Sequence, residues 1–127
     1  MGLARRVRVR LAFVVWLCAW VWIAVPWRSF QWTPSFQRVE VIPFAFEANW
    51  TQVLNFLAFV PVGLLGALLG WGRWKIVLVG AGLSGVTEVI QLFSRTRYPQ
   101  TTDFILNTAG AIAGMTIATY SMKRRRE

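Results

Sequence analysis

Four continuous apolar runs constrain this chain more than any other feature. They lie at about 11–27, 51–71, 76–93 and 104–122 of the 127 residues. No gap between them is long enough for a second domain, so 1–127 reads as one unit. At a rise of about 1.5 Å per residue the last three runs can cross a hydrocarbon core roughly 30 Å thick, and the shorter first run can extend into its flanks. The runs do not alternate, and four strands cannot close a barrel, so helices are the spanning structure open to them. Charged residues make up 15% of the chain and apolar ones 56%, where a soluble domain carries about 25% charge. A disordered chain, a disulfide scaffold and an ordinary water-soluble enzyme are thereby excluded. The expected fold is an all-α membrane protein, a four-transmembrane-helix bundle.

Arg5, Arg6, Arg8 and Arg10 precede the first run. A signal peptide has that charge pattern, but Trp16, Trp20 and Trp22 are bulky and no small-x-small cleavage site is evident. Leu17 before Cys18 argues against lipoprotein cleavage, so the run reads as an uncleaved first span. Ten of the 14 basic residues fall at the N-terminus, in the Arg73–Lys75 turn and in Lys123–Arg126; Arg28, Arg38, Arg95 and Arg97 occupy the other two loops. The positive-inside rule then places both termini in the cytoplasm, with the chain multi-pass in the membrane. The basic ends serve topology and attraction to anionic lipid rather than nucleic-acid binding. The outer loop 28–50 holds Phe30, Trp32, Phe36, Phe44, Phe46 and Trp50, with Pro34 and Pro43 breaking any long helix. So many aromatics suit a segment lying on the outer leaflet or folded back over the bundle.

The chain has no His, which removes imidazole as base, shuttle or metal ligand, and its one Cys, Cys18, sits in an apolar run. No disulfide, metal centre or cofactor is expected; two carboxylates alone are a thin ligand set for a divalent ion. Glu88 stands out, because an ionisable group inside an apolar span costs a few kcal/mol unless satisfied. At about 100° per residue, Ser84, Glu88, Gln91 and Arg95 fall within an arc of roughly 60°. Asp103, Asn107, Gly110 and Gly114 share an arc on the fourth run, and Asn55, Phe59 and Gly66 on the second. The orientation brings Asn55, Glu88, Gln91, Arg95, Arg97, Asp103 and Asn107 to one depth near the outer face. Two readings stand side by side. In one the cluster is polar glue, with Glu88 paired to Arg95 or Arg97 and Asn107 bonded across to Asn55 or Gln91. In the other it is a pocket open to the outer leaflet, the default for an intramembrane Glu. Gly66-x3-Gly70, Ala81-x3-Gly85 and Gly110-x3-Gly114 are small-xxx-small patterns that suit close helix approach. Pro61 is expected to kink the second span and to free a carbonyl near Leu57.

Asn55-x3-Phe59-x-Pro61-x-Gly63, followed by Glu88-x2-Gln91-x5-Arg97-x5-Asp103-x3-Asn107-x2-Gly110-x3-Gly114, resembles the VanZ-like family over about residues 50–122. The resemblance implies a small integral membrane protein of bacteria, in a family named for a protein associated with low-level teicoplanin resistance. By position Glu88, Gln91, Arg97, Asp103 and Asn107 match the family's signature. Many members carry an acidic residue where this chain has Gln100, so a carboxylate pair at that loop would here lack one partner.

Two functions are open. In the first, Arg95 and Arg97 clamp the anionic head group of a lipid or lipid-linked cell-wall precursor, because guanidinium forks suit phosphate oxygens. Gln91, Asn107 and Asn55 complete the binding set. Glu88 and Asp103 orient the arginines or act as general acid and base, with Ser84 and Thr102 the available hydroxyls. In the second, the protein is a non-catalytic scaffold or accessory subunit, its partner another membrane protein or a second copy. Transport would require oligomers. A cysteine placed at Gln100 (Gln100→Cys) is expected to react with impermeant thiol reagents from outside intact cells. Failure to label it would overturn the orientation.

Overall fold

A computed structural model describes residues 2–44, 49–125 and 127. Phe46 and Arg126, which entered the reading of the outer loop and the basic C-terminus, lie outside them. Four helices run in order: α1 Leu3–Ala24, α2 Trp50–Leu68, α3 Arg73–Gln91 and α4 Thr101–Arg124. Among the described residues there is no strand, only two isolated bridges. α1 starts well before the apolar run because its arginines are good helix formers. It stops at Ala24 because Pro26 holds Val25 extended, at φ −76° and ψ 125°. α2 opens on a capping box in which Asn49 Oδ1 accepts the Gln52 N–H and Gln52 Oε1 accepts the Asn49 N–H. It closes on Gly70 at φ 78°. There the Trp71 N–H reaches Gly66 O and the Gly70 N–H reaches Ala67 O, both at 3.0 Å, a Schellman end that turns the chain directly into α3. The expected tight hairpin is thus built by a left-handed glycine. Gly70 is a turn residue, not half of a packing pair.

The closest packing joins α2 to α4. A Cβ on Gly63 would fall onto Ala111 O, one on Gly110 onto Phe56 O, and one on Gly114 onto Val60 O. Main chain therefore meets main chain, as small residues permit. α3 closes on α4 through Gly80, whose Cβ would sit 2.8 Å from that of Ala111; Gly82 has open space instead, and a Cβ on Gly85 would meet only the Phe104 ring. The close approach on α3 therefore lies one residue before the expected Ala81–Gly85 pair. Phe59, Val62 and Ala111 form one buried cluster, and Ala67, Ile76 and Ala118 a second. α1 lies outermost, docked by Trp16, whose Nε1–H donates to Ala58 O at 2.9 Å and whose ring centroid lies 6.2 Å from that of Phe59. α2 continues through Pro61 as one helix, and Leu57 is exposed on its outer side.

By length and composition, α1 and α2 are apolar enough to cross a membrane. In α3 and α4, Ser84, Thr87, Gln91, Thr102, Asp103 and Asn107 are buried polar residues, and they lower the hydropathy of those helices while facing inward. Arg5, Leu68, Met122 and Arg125 line one groove, so both termini lie at the same end of the bundle. The first long connection is stitched to the α3–α4 connection. Gln31 N–H reaches Phe93 O, Ser35 N–H reaches Leu92 O and Glu40 N–H reaches Pro99 O. The backbone folds back over the bundle while Trp32 and Phe36 point outward, 89% and 67% exposed.

Gly114→Leu is expected to cost on the order of 3 kcal/mol, since a backbone carbonyl stands where the side chain must go. Gly82→Leu should change stability by less than about 1 kcal/mol. Thermal unfolding in detergent compares them, and equal effects would refute the glycine seam.

Candidate functional site

The polar residues gather where α2 begins, α3 ends and α4 begins. A cavity of about 220 Å³ opens there, lined by Asn49, Thr51 and Gln52 from the start of α2, Gln91 from the end of α3, and Asp103 from the first turn of α4. Thr96, Arg97, Tyr98 and Gln100 of the α3–α4 connection complete it. Arg97 is held by local turn geometry: Ser94 Oγ accepts the backbone N–H of Thr96 at 3.3 Å and of Arg97 at 3.0 Å. Such a hydroxyl turn fixes the backbone and leaves the guanidinium directed by its surroundings. The charge of Arg97 acts on both carboxylates, Glu88 and Asp103. Asn55 stands beside the Asp103 carboxylate within reach of a side-chain hydrogen bond.

Three of the residues expected in a site, Gln91, Arg97 and Asp103, line the cavity together, with Asn55 behind Asp103. Glu88 is one wall away. Its Oε2 accepts the backbone N–H of Gln100 at 2.7 Å, pinning the last turn of α3 to the N-cap of α4. That bond takes the place of the expected ion pair with Arg95 or Arg97. Arg95 is turned outward: it is exposed, does not line the cavity, and takes part through its backbone, its carbonyl accepting from Arg38 Nη1 at 3.1 Å. Asn107 lies a turn deeper and is 2% exposed; its Nδ2 donates to Ser84 Oγ at 3.0 Å, not to Asn55 or Gln91. Ser84 is fully buried, and Thr102 accepts the Phe44 N–H at 2.7 Å. Both hydroxyls are engaged, and neither lines the cavity.

Four buried acceptor oxygens, Glu88 Oε1, Gln91 Oε1, Asp103 Oδ1 and Asn107 Oδ1, have no hydrogen-bond partner. An unpaired buried polar group costs about 1–3 kcal/mol, so the cluster holds more acceptors than its own donors satisfy. One guanidinium beside acceptor-rich walls is chemistry for a ligand that carries both anionic oxygens and hydroxyl donors.

Sequence reasoning missed Asn49, Gln52, Ser94 and Tyr98. Asn49-x2-Gln52 is a capping-box signature, and Gln52 continues the Asn55–Phe59–Gly66 face by one turn. Ser94 carries the weaker signal of a hydroxyl just after a helix end and three residues before an arginine.

The sequence model of the VanZ/LLP1 family matches residues 11–122. The match takes in α1 and the first connection as well as the motif-bearing helices. No curated protein and no solved structure matches the chain significantly.

If the Ser84–Asn107 bond ties α3 to α4, Asn107→Ala and Ser84→Ala will not be additive. A coupling of about 0.6–1.7 kcal/mol is expected in a double-mutant cycle read by thermal unfolding. Additive losses would mean that the pair does not cooperate.

Proposed function

This chain belongs to the VanZ/LLP1 family, and we propose that it is a four-span protein of the bacterial inner membrane whose polar cavity binds the anionic head group of a membrane lipid or lipid-linked cell-wall precursor. The observation that carries the reading is Arg97 in one cavity with Gln91, Gln100 and Asp103. Arg97 takes the phosphate oxygens, because a guanidinium fork bonds two of them at once. Gln91 and Asp103 line the same cavity and supply its polar wall beside the guanidinium. The cavity sits at the end of the bundle away from the Arg73–Lys75 turn and from both termini, which the positive-inside rule assigns to the outer leaflet.

The proposed clamp is Arg97 alone, with Arg95 serving the fold. Asp103 is the group placed to hold or move a proton against a bound head group, while Glu88 positions Gln100. Binding is the activity this arrangement supports most directly, because neither Ser84 nor Thr102, the two available hydroxyls, lines the cavity. Family membership supports a link to glycopeptide tolerance, through occupancy of the lipid that such antibiotics approach. The scaffold reading is favoured at one residue, Asn107, whose bond to Ser84 fixes helix register.

The test is direct binding of a soluble probe, glycerol 3-phosphate, to purified protein. Arg97→Lys is expected to weaken it about tenfold, since an ammonium cannot make paired bonds, and Arg97→Gln to abolish it, both with normal protein abundance. Wild-type affinity in both variants would sink the proposal.

A further inference from the structure

Beside the polar cavity lies a second recess of about 300 Å³ with the opposite chemistry. Val39, Gly85, Pro99 and Phe104 wall it, and Gln100 is common to both spaces. Glu88 also borders it, but its carboxylate is withdrawn: Oε2 is bonded to the Gln100 N–H and Oε1 is fully buried. What Glu88 offers the recess is its methylene stem. Gly85 contributes no side chain at all, and a Cβ there would meet only the Phe104 ring, at 4.0 Å. The mouth opens sideways. Val39 and Phe104 are more than a third exposed, and Val86, Val89 and Ile105 flank it as exposed apolar residues on the outer sides of α3 and α4.

We propose, on the reading that the polar cavity holds a lipid phosphate, that this crevice holds the first methylenes of the same molecule's hydrocarbon chain. Charge sets which end goes where. Arg97 lines the polar cavity, whereas no cation is among the residues that line the crevice on the other side of Gln100. An amphiphile entering between α3 and α4 from the bilayer then lays its phosphate against Arg97 and its chain past Gly85 and Phe104. Water-soluble phosphates fill half of the site. A methylene arriving from the bilayer leaves one apolar medium for another, so what the crevice adds is packing contact with Gly85 and Phe104 rather than transfer out of water.

Binding of dioleoyl phosphatidic acid, dihexanoyl phosphatidic acid and glycerol 3-phosphate to the detergent-solubilised full chain separates lipid from free phosphate. Wild type is expected to prefer the dioleoyl lipid to glycerol 3-phosphate by at least tenfold. Gly85→Trp, which fills the crevice, should remove that preference and leave glycerol 3-phosphate affinity as it was. A retained preference overturns the crevice, as does an equal loss for every probe in a folded variant. Photolysis of a diazirine-tailed phosphatidic acid on the wild-type protein decides the matter should Gly85→Trp fail to fold. Adducts are expected on peptides containing Gly85 or Phe104, and adducts confined to α1 overturn the proposal. Failure of the phosphate reading shows itself separately, as glycerol 3-phosphate binding that Arg97→Gln does not change.

Discussion

Backbone contact between α2 and α4 is the constraint from which the rest of the structure follows. Gly63, Gly110 and Gly114 let the two main chains touch. On the proposed reading that the helices span a bilayer, where no hydrophobic drive acts between them, such contact supplies the attraction through packing and interhelical hydrogen bonds. The same two helices carry Gln52 and Asn55 on one side and Asp103 and Asn107 on the other. Because the seam lies just beneath them, their polar groups meet at the end of the bundle rather than on its outer surface. α3 completes the enclosure from Gly80, with Ser84 and Gln91 above that contact.

The polar end is held by backbone as much as by side chains. Glu88 Oε2 accepts the Gln100 N–H, Ser94 Oγ accepts the Arg97 N–H, and the connection itself is held by the ribbon that runs from Ser29 to Glu40. Glu40 O accepts both the backbone N–H and the hydroxyl of Thr101. The cavity wall therefore consists of two connections bonded to each other, with Arg97 and Gln100 on the inner one.

Helix number, the gathering of the polar groups at one end of the bundle and the role of Gly110-x3-Gly114 were all legible from run length and 3.6-residue spacing. Those signals are local to one element. Which polar atoms pair was not legible. Periodicity puts Glu88 and Arg95 on one face as though α3 continued, but the helix ends at Gln91 and Arg95 swings outward. Gly70 reads as half of a packing motif until its φ of 78° shows it turning the chain. Glu88 could not be matched to Gln100 from residue types, because the donor is a backbone N–H that every non-proline residue carries. Ser94 was invisible for the same reason, since its partners are main-chain groups.

The bond between Glu40 and Thr101 spans 61 residues of sequence. Because synthesis runs from the N-terminus, the first connection is made well before the segment it pairs with. Its N–H and carbonyl groups stay with solvent until the stretch from Leu92 to Thr101 follows. A fragment ending at Pro99 would hold most of the ribbon's partners and still lack the wall that Asp103 supplies, so the cavity closes only once the first turn of α4 has been made.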